Sequence, residues 1–386
     1  PSTTIKPMPT AEQIRALSEK MWSRRACWFQ AEIVEHLLRF PEHNLVATAA
    51  TGTGKTYTFF LPALYEQSGV TFIIIPLKKL AHQHRESAVK LGLSAMTLEA
   101  ETISKEVINE IAEIKYKYVI LGPDLLTSEL MRLLWRNTKF VSQINRIIVD
   151  ETHCVTQWLS FCSKYQDLRS VYAHLRCRCQ WYLTSATLDT RTCSKVLSTI
   201  NMDPYHNKEG GTYTKWIRCS NDRPNLHYCV WPMEYSRQSC KDLAFLVPLG
   251  LKESDPIPEP FFVYCNSRNN AEQCATYLWS RVEGSLKRRI IWVHSGMSDK
   301  HKQKAVETFR NGKLIGITAT ETLGLGFDLP NITRLVQFGP PDNLSTLAQR
   351  FGRAARDPDT TGIVILLAPR DYFEETRRKR EQRAKK

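Results

Sequence analysis

A glycine-rich run near the N-terminus has the residue types and spacing that hold phosphate groups. It reads AATGTGKT from Ala49 to Thr56 and follows a short apolar run. Two glycines let the backbone curl so that successive N–H groups point inward onto phosphate, beside a helix N-terminus that favours negative charge. We expect Lys55 to meet the β and γ phosphates and Thr56 to offer its hydroxyl to Mg²⁺. The alternative is an accidental glycine-rich turn. The residues predicted to contact nucleotide here are Gly52, Thr53, Gly54, Lys55 and Thr56.

An acidic pair at the end of a second apolar run supplies the other half of a hydrolytic site. The run RIIVDETH places Asp150 and Glu151 side by side. Asp150 is expected to hold Mg²⁺ through water, and Glu151 to polarise the water that attacks the γ phosphate. Two adjacent carboxylates also occur at solvated strand ends, but their position downstream of a phosphate loop favours catalysis. We therefore predict ATP and Mg²⁺ as the cofactors.

The segment DETHCVTQW, Asp150 to Trp158, resembles the DExH box of RecQ-family DNA helicases. Ala49, where the general phosphate-loop pattern has glycine, matches the AxxGxGKT form of helicase superfamily 2. The resemblance gives His153 and Gln157 a coupling role. It gives Trp158 and Phe161 the role of sensing single-stranded DNA, and aromatic rings do stack on bases whatever the sequence. A core or interface position is the alternative for Trp158.

Further matches to this family follow in the first half of the chain. Gln30, behind Trp28 and Phe29, resembles the adenine-reading motif, with an amphipathic surface helix as the alternative. LTSATL resembles the motif that links hydrolysis to the nucleic-acid track. PLKKL and GPDLL resemble segments that contact the strand backbone, although exposed lysines are commonly only solvated. The residues to which the resemblance gives nucleic-acid contacts are Lys78, Lys79, Ser185 and Thr187.

The second half of the chain carries the later helicase motifs. VYCNSR and HSGM resemble strand-contacting motifs, which assigns Arg268 and His294 to nucleic acid, and TATETLGLGFD assigns Gly326 and Asp328 to the nucleotide. QRFGRAAR runs from Gln349, a coupling residue by resemblance. Its two later arginines, Arg353 and Arg356, lie three apart and share one face if the segment is helical. They would stabilise charge on the transferring phosphoryl group, as arginine fingers do. A surface-charge helix is the alternative.

These motifs need a scaffold, and the pattern of the chain predicts two α/β domains. Short β-branched runs alternate with helical stretches, which indicates parallel sheets covered by helices. We predict two tandem RecA-like domains, at residues 1–222 and 223–370, with the junction at RPNL beginning at Arg223. An irregular region is expected from about residue 201 to 260, where Gly and Pro interrupt the periodicity. Residues 371–386 form a basic C-terminal segment, either a linker or a tether.

Composition restricts the partners. The formal net charge of +14 attracts polyanions, of which phosphate backbones are the commonest. No apolar run approaches the roughly 20 residues needed to cross a bilayer, so we expect no membrane partner. The eleven cysteines lack paired CxxC spacing, which predicts reduced thiols and no zinc site in this chain. We expect a monomer, located in the nucleus or, in a bacterium, in the cytoplasm or nucleoid.

The resemblance implies an ATP-dependent DNA helicase or translocase that moves 3′ to 5′ on single-stranded DNA and unwinds partly duplex DNA. RecQ helicases normally carry a zinc element and a winged-helix domain after the second lobe, so we expect weak unwinding by this chain alone. An RNA helicase or remodeller of superfamily 2 is one alternative. A nucleic-acid clamp that uses nucleotide only as a switch is the other, and intact Lys55, Glu151, Arg353 and Arg356 disfavour it.

Overall fold

Short apolar runs form the strands of two parallel sheets. They are buried on both faces, so they read as nearly continuous hydrophobic segments. A computed structural model describes residues 8–157, 165–175, 179–202, 213–323, 332–357 and 359–374. The chain divides into two compact units, Pro1–Asn221 and Asp222–Lys386. The predicted class, two RecA-like α/β domains each with a parallel sheet flanked by helices, is confirmed.

The first unit contains a sheet with strand order β3-β4-β2-β5-β6-β1-β7, and all its pairings are parallel. Its strands are β1 Asn44–Thr48, β2 Val70–Ile74, β3 Ala95–Leu98, β4 Tyr118–Leu121, β5 Ile144–Val149, β6 Gln180–Ser185 and β7 Thr214–Arg218. The helices described are α1 Ala11–Trp22, α2 Trp28–Arg39, α3 Tyr57–Phe60, α4 Lys78–Lys90, α5 Lys105–Ala112, α6 Glu129–Arg136, α7 Thr138–Val141, α8 Cys154–Gln157, α9 Tyr165–Leu175 and α10 Thr190–Ile200.

Alternate side chains of each central strand supply two separate cores in the first unit. In β2, Phe72 and Ile74 pack into the cluster on one face, and Ile73 packs into the cluster on the other. Each fully buried side chain of this size contributes roughly 1.5–3 kcal/mol. The two cores hold the sheet flat against its helices, and so fix the positions of the loops at its carboxyl edge.

The second unit repeats the plan with strand order β10-β11-β9-β12-β13-β8, again with parallel pairings. Its strands are β8 Leu226–Pro232, β9 Phe261–Cys265, β10 Ile290–Val293, β11 Gly316–Ala319, β12 Arg334–Phe338 and β13 Gly362–Ala368. The helices described are α11 Arg268–Trp279, α12 Asp299–Arg310 and α13 Leu344–Phe351.

Three local predictions need correction. The region expected to be irregular contains β7 and β8. Arg353 and Arg356 lie beyond α13, which ends at Phe351, so they are not on a helix. The segment after the phosphate loop forms only the four-residue α3, followed by a 3₁₀ turn at Leu61–Leu64. Pro62 in that turn lacks the N–H that an α-helix would need.

Candidate nucleotide site and nucleic-acid motifs

Three strands of the first sheet end at one edge, and the phosphate and acidic motifs stand there. The phosphate loop (Ala49–Thr56) follows β1, the acidic pair follows β5, and Ser185 closes β6. Because β6 lies between β5 and β1 in a parallel sheet, all three groups meet at the carboxyl edge. Ligands of open α/β sheets bind at this edge.

The phosphate loop has the backbone form that its glycines permit. Gly52 and Gly54 have φ of 88° and 75°, in the left-handed region that favours glycine. A Cβ on Gly54 would lie 2.7 Å from Gln30 Nε2, so a side chain does not fit there. Lys55 Nζ donates to two carbonyl oxygens of the loop at 2.8 and 3.0 Å. Its ammonium therefore lies against the loop that is expected to hold phosphate.

Gln30 joins the start of α2 to the phosphate loop. Its Oε1 accepts from the N–H of Cys27 at 2.9 Å, and its Nε2 donates to the carbonyl oxygens of Thr53 and Gly54 at 3.1 and 3.0 Å. Both ends of this buried amide are therefore occupied within the protein. In this structure Gln30 supports the loop, and its predicted contact with adenine remains a prediction.

Asp150 is paired with a histidine that the sequence did not single out. Its Oδ2 lies 2.9 Å from Nε2 of His84 on α4, and both side chains are buried. Its Oδ1 accepts from the N–H of Glu151 at 2.9 Å. Burial works against the charged form, but the hydrogen bond and charge of His84, the Glu151 N–H and the charge of Lys55 outweigh it, and the pKa of Asp150 lies below its usual range. Asp150 is therefore an ionised carboxylate at neutral pH.

Glu151 faces His153, and His153 reaches the end of β6. Glu151 Oε2 is buried and has no hydrogen-bond partner among the described residues, and it lies 3.4 Å from His153 Nδ1. The same nitrogen is 2.8 Å from Ser185 Oγ, which accepts from the N–H of Thr187 at 3.2 Å. Glu151 has φ of 48°, a strained conformation for a residue with a side chain. A continuous polar path therefore runs from the predicted catalytic carboxylate to the predicted coupling motif.

These residues fit a magnesium nucleotide. The loop offers glycines in the required conformation and a lysine, Asp150 is charged, and Glu151 carries a buried oxygen without a hydrogen-bond partner. Thr56, which carries the hydroxyl predicted to bind Mg²⁺, immediately precedes α3. Carboxylate and hydroxyl oxygens are the ligands that Mg²⁺ prefers. In the described part of the chain no cluster of three or more His, Cys, Asp or Glu side chains could hold a metal by itself.

The predicted strand-contacting lysines lie at the start of α4. Lys78 is exposed, and its Nζ is 2.9 Å from Glu101 Oε1 and 3.9 Å from Glu99 Oε2. Exposed ion pairs of this kind contribute less than about 1 kcal/mol, so a nucleic-acid phosphate could displace the carboxylates. Lys79 is half-buried. The structure leaves their nucleic-acid role as a prediction.

In the second unit, Arg268 and His294 lie close together. Arg268 begins α11 and is exposed, and its Nη1 is 3.6 Å from the position of a Cβ on Gly296. His294 Nδ1 accepts from the N–H of Gly296 at 3.2 Å. Its Nε2 therefore carries the proton and donates to Glu272 Oε1 at 2.8 Å. Arg268 thus presents an exposed cation beside a histidine held in one tautomer.

The arginines predicted to contact the phosphoryl group occupy a clamped loop. Arg223 donates from Nη2 to the carbonyl oxygens of Ala354, at 3.2 Å, and Ala355, at 2.5 Å. Asn225 Nδ2 donates to the carbonyl of Ala355 at 2.9 Å, and to two carbonyls further along the loop, at 2.8 and 3.3 Å. Ala355 is buried with φ of 41°. The RPNL segment therefore holds the backbone of the arginine loop (Gly352–Asp357), within which Arg353 lies.

Several predicted residues have no described side-chain geometry. Gln157 ends the short helix α8, and Gln349 is half-buried in α13. The predicted residues that lie outside the described residues are Trp158, Phe161, Gly326 and Asp328.

Three residues of the sites were not predicted: His84, Asn225 and Arg350. His84 stands in a strongly polar helix, KKLAHQHRESAVK, where a histidine is expected to be solvated. Arg350 lies in the QRFGRAAR run beside the two predicted arginines, and it is buried. A helical projection gives one clue, because Ala81, His84 and Ala88 recur at the spacing of one helix face, and all three are buried.

Comparison with known proteins agrees with this architecture. Residues 28–196 match the family model described as DEAD/DEAH box helicase, and residues 245–358 match the helicase conserved C-terminal domain. The chain is 25% identical over 378 residues to the ATP-dependent helicase wrn-1 of Caenorhabditis elegans, which covers 94% of this chain and 33% of that protein. It is 26% identical over 351 residues to the ATP-dependent DNA helicase RecQ of Haemophilus influenzae, which covers 89% of this chain and 51% of that protein.

A solved structure, the DUF1998 helicase MrfA bound to DNA, shares the fold. The TM-score is 0.68 at 18% identity, over 94% of this chain and 52% of that one. The sheets, motifs and family models together define a two-domain helicase core. The chain carries a DEAD/DEAH box helicase domain and a helicase conserved C-terminal domain, and the predicted resemblance to the RecQ family is confirmed. It spans a third to a half of the length of these two relatives. Within the described residues, no helix is both long and apolar enough to cross a membrane.

Proposed function

We propose that this chain is the motor core of an ATP-dependent DNA helicase of the RecQ type. It would hydrolyse ATP and move 3′ to 5′ on single-stranded DNA, unwinding partly duplex DNA. The observation that carries the proposal is the polar path from Glu151 through His153 to Ser185, at the edge where the phosphate loop begins. A hydrolytic carboxylate tied to a strand-end hydroxyl is what a nucleic-acid-dependent ATPase needs.

In this proposal the first unit holds the triphosphate. Loop N–H groups and Lys55 contact its phosphates, and Thr56 and Asp150 hold Mg²⁺, which supplies charge neutralisation at the phosphate oxygens when bound. Glu151 takes the proton of the attacking water. Its Oε2 has no hydrogen-bond partner among the described residues, so this oxygen is not already occupied by a protein donor, which supports the role.

The second unit supplies positive charge to the reaction. Arg353 and Arg356 stabilise charge on the phosphoryl group as it transfers. Because they belong to the other unit, hydrolysis would require the two units to close on one nucleotide. Closure and opening, coupled to two strand-gripping surfaces, would move the protein along a strand.

Nucleic-acid contacts would come from both units. Trp158 and Phe161 would stack on bases, and the formal charge of +14 supports a phosphate backbone as the partner. The name of one relative, the ATP-dependent DNA helicase RecQ, favours DNA over RNA. The residues we assign to strand contact and coupling are Lys78, Lys79, His153, Gln157, Ser185, Thr187, Arg268, His294 and Gln349, and those we assign to the nucleotide's edges are Gln30, Gly326 and Asp328.

We also propose that the protein acts as a monomer and locates where its DNA is. That is the nucleus of a eukaryote, or the cytoplasm and nucleoid of a bacterium. Size-exclusion chromatography coupled to light scattering, with and without a DNA oligonucleotide, measures the oligomeric state.

ATP turnover tests the proposal most directly. The chain is assayed alone, with a single-stranded DNA and with an RNA of the same sequence, and strand displacement is measured on substrates of both polarities. We expect DNA to stimulate turnover most, and Glu151→Gln to lower turnover by about 10²–10⁴-fold, as expected for loss of a general base. Glu113→Gln, at an exposed carboxylate of the same unit, is the matched control and should leave turnover unchanged.

Two results would replace this proposal with an alternative. Stronger stimulation by RNA than by DNA would make the chain an RNA helicase or remodeller. Equal turnover in the wild type and in Glu151→Gln, with nucleotide-dependent DNA binding retained, would make it a nucleotide-switched clamp.

A further inference from the structure

A buried arginine lies one helical turn before the arginine loop. Arg350 is 7% exposed. Its Nε donates to Glu321 Oε2 at 2.6 Å, and its Nη1 donates to Asn266 Oδ1 at 3.0 Å and to Gln337 Oε1 at 2.8 Å. Its guanidinium also lies 5.4 Å from the ring centroid of Tyr264. Three hydrogen bonds to protein acceptors therefore occupy the Nε and Nη1 donors of this buried guanidinium.

The acceptors of Arg350 are themselves held in place. Gln337, in β12, is fully buried, and its Nε2 donates to Asn266 Oδ1 at 3.1 Å and to the carbonyl oxygen of Gly339 at 2.7 Å. Asn266 Nδ2 donates to the carbonyl oxygen of Pro340 at 2.7 Å. Two neighbouring strands, β9 and β12, therefore present their carboxyl ends to one side chain of α13.

This network fixes the arginine loop at its beginning. The N–H of Arg353 donates to the carbonyl oxygen of Arg350 at 3.1 Å, so the backbone of Arg353 is hydrogen-bonded to the last turn of α13. Burial raises the pKa of Tyr264, and Arg353, Arg350 and Arg356 oppose that rise by their charges. The three guanidiniums therefore share the surroundings of one buried ring.

Glu321 brings a second segment into the network. It follows β11 in the TATETLGLGFD run, directly before the segment with Gly326 and Asp328. Glu321 is about one-third exposed at its side chain, whereas Arg350 is buried. The ion pair therefore ties a partly solvated loop to the buried end of α13.

We propose that Arg350 is a positioning residue for ATP hydrolysis, which holds the arginine loop on the sheet and locks it to the segment after β11 through Glu321. This inference rests on the proposed function. Arg350 acts on the loop through protein contacts, because its side chain is buried and its Nε and Nη1 donate to protein acceptors. Misplacement of a reacting group by about 1 Å can cost on the order of 10²-fold in rate, and loss of this one side chain would release the loop at its helical end.

The test measures kcat and KM for ATP in four variants, each beside the wild type, at saturating single-stranded DNA. Arg350→Met removes the charge and keeps the length, and Arg350→Lys keeps the charge but loses the planar fork of donors. The double exchange Arg350→Glu with Glu321→Arg restores an ion pair of reversed sense between the same two positions, without the hydrogen bonds to Asn266 and Gln337. Arg288→Met, at an exposed arginine of the same unit, is the control.

We expect Arg350→Met to lower kcat about 10- to 100-fold with KM for ATP and DNA affinity unchanged within about twofold. The factor corresponds to about 1.4–2.8 kcal/mol of transition-state stabilisation. Arg350→Lys should lie between Met and wild type, and the double exchange should regain at least half of the lost activation free energy. Binding of a fluorescent ATP analogue at Lys55 should persist in every variant, which reports that the first unit is folded.

The outcomes separate this inference from the function on which it rests. If the wild type shows no DNA-stimulated turnover, the proposed function fails. If the wild type turns over ATP but Arg350→Met has the same kcat as Arg288→Met, Arg350 does not position the loop. If the double exchange is no better than Arg350→Met, or if KM rises in parallel with the fall in kcat, the role is structural or ligand-binding and the proposal is overturned.

Discussion

Asn225→Asp, which replaces the amide nitrogen by an oxygen, should release the arginine loop at the end opposite to Arg350. Asn225 Nδ2 donates to the carbonyl oxygens of Ala355, Asp357 and Thr360 at 2.9, 3.3 and 2.8 Å. Asn225→Asp keeps the shape of the side chain but replaces the donor by an oxygen that faces three carbonyl oxygens. An amide nitrogen has two hydrogens, so about two hydrogen bonds are lost, each worth roughly 0.5–1.5 kcal/mol, and the buried acceptors lose their donors.

The resulting destabilisation is about 1–3 kcal/mol, concentrated in the loop and not in the sheet. In a unit of this size it lowers Tm by roughly 2–4 °C per kcal/mol. We expect a larger effect on kcat than on Tm, because Arg353 follows the clamped backbone. Differential scanning calorimetry measures the loss of Tm.

The matched control is Asn343→Asp in the same unit. Asn343 caps α13, and its Oδ1 accepts from the N–H of Thr346 at 2.8 Å, a role that aspartate performs equally well. We expect its Tm and kcat to stay near those of the wild type. Equal losses of kcat in Asn225→Asp and Asn343→Asp would refute the clamp.

Three further predictions concern the first unit. Gln30→Ala removes the two hydrogen bonds from Nε2 to the phosphate loop, so the Kd for a fluorescent ATP analogue should rise about 5- to 150-fold, at roughly 0.5–1.5 kcal/mol for each bond; an unchanged Kd would show that the loop keeps its form alone. His84→Ala should raise the Mg²⁺ concentration for half-maximal nucleotide binding about tenfold, because partners that orient a metal ligand typically contribute 10–100-fold, whereas His84→Gln should stay closer to wild type; identical titrations would exclude the orienting role. The pKa of His36 is lowered by burial and by His43 from 6.5 to about 4, so the protein should lose stability as the pH falls from 6.5 towards 4, and His36→Phe should lessen that loss in urea titrations at pH 7 and pH 4.5.

The strands that the sequence predicts best are those with no polar interruption. Strands β4 and β9 read as continuous apolar runs, and every residue in them is buried. The edge strand β8, Leu226–Pro232, was missed for the opposite reason, since most of its side chains are exposed. Its residues are fixed by backbone pairing to β13. Burial leaves a pattern in a sequence, whereas edge pairing depends on a neighbour far along the chain.

The candidate site residues also fall into two groups, those marked by a local sequence pattern and those held by contacts far along the chain. Lys55, Asp150 and Glu151 follow directly from strand-loop sequence, because a local backbone form dictates those residues. The partner of Asp150 comes from another helix, 66 residues away, and no local pattern marks it. The arginine loop shows the same limit, because RAAR favours a helix by local propensity, yet contacts from Arg223 and Asn225, more than 120 residues away in sequence, hold it in another form.

Two residues beside the groups proposed for hydrolysis have a strained backbone conformation. Glu151 and Ala355 both adopt positive φ, at 48° and 41°, a conformation that costs on the order of 1–3 kcal/mol for residues with side chains. The N–H of Glu151 donates to Asp150, and the carbonyl oxygen of Ala355 accepts from Arg223 and Asn225. Because such strain persists only where the surroundings impose it, the two loops are held in their present forms by tertiary contacts. The same contacts set the direction of Glu151 and the path of the chain on either side of Arg353, so the groups proposed for hydrolysis are oriented before any nucleotide arrives.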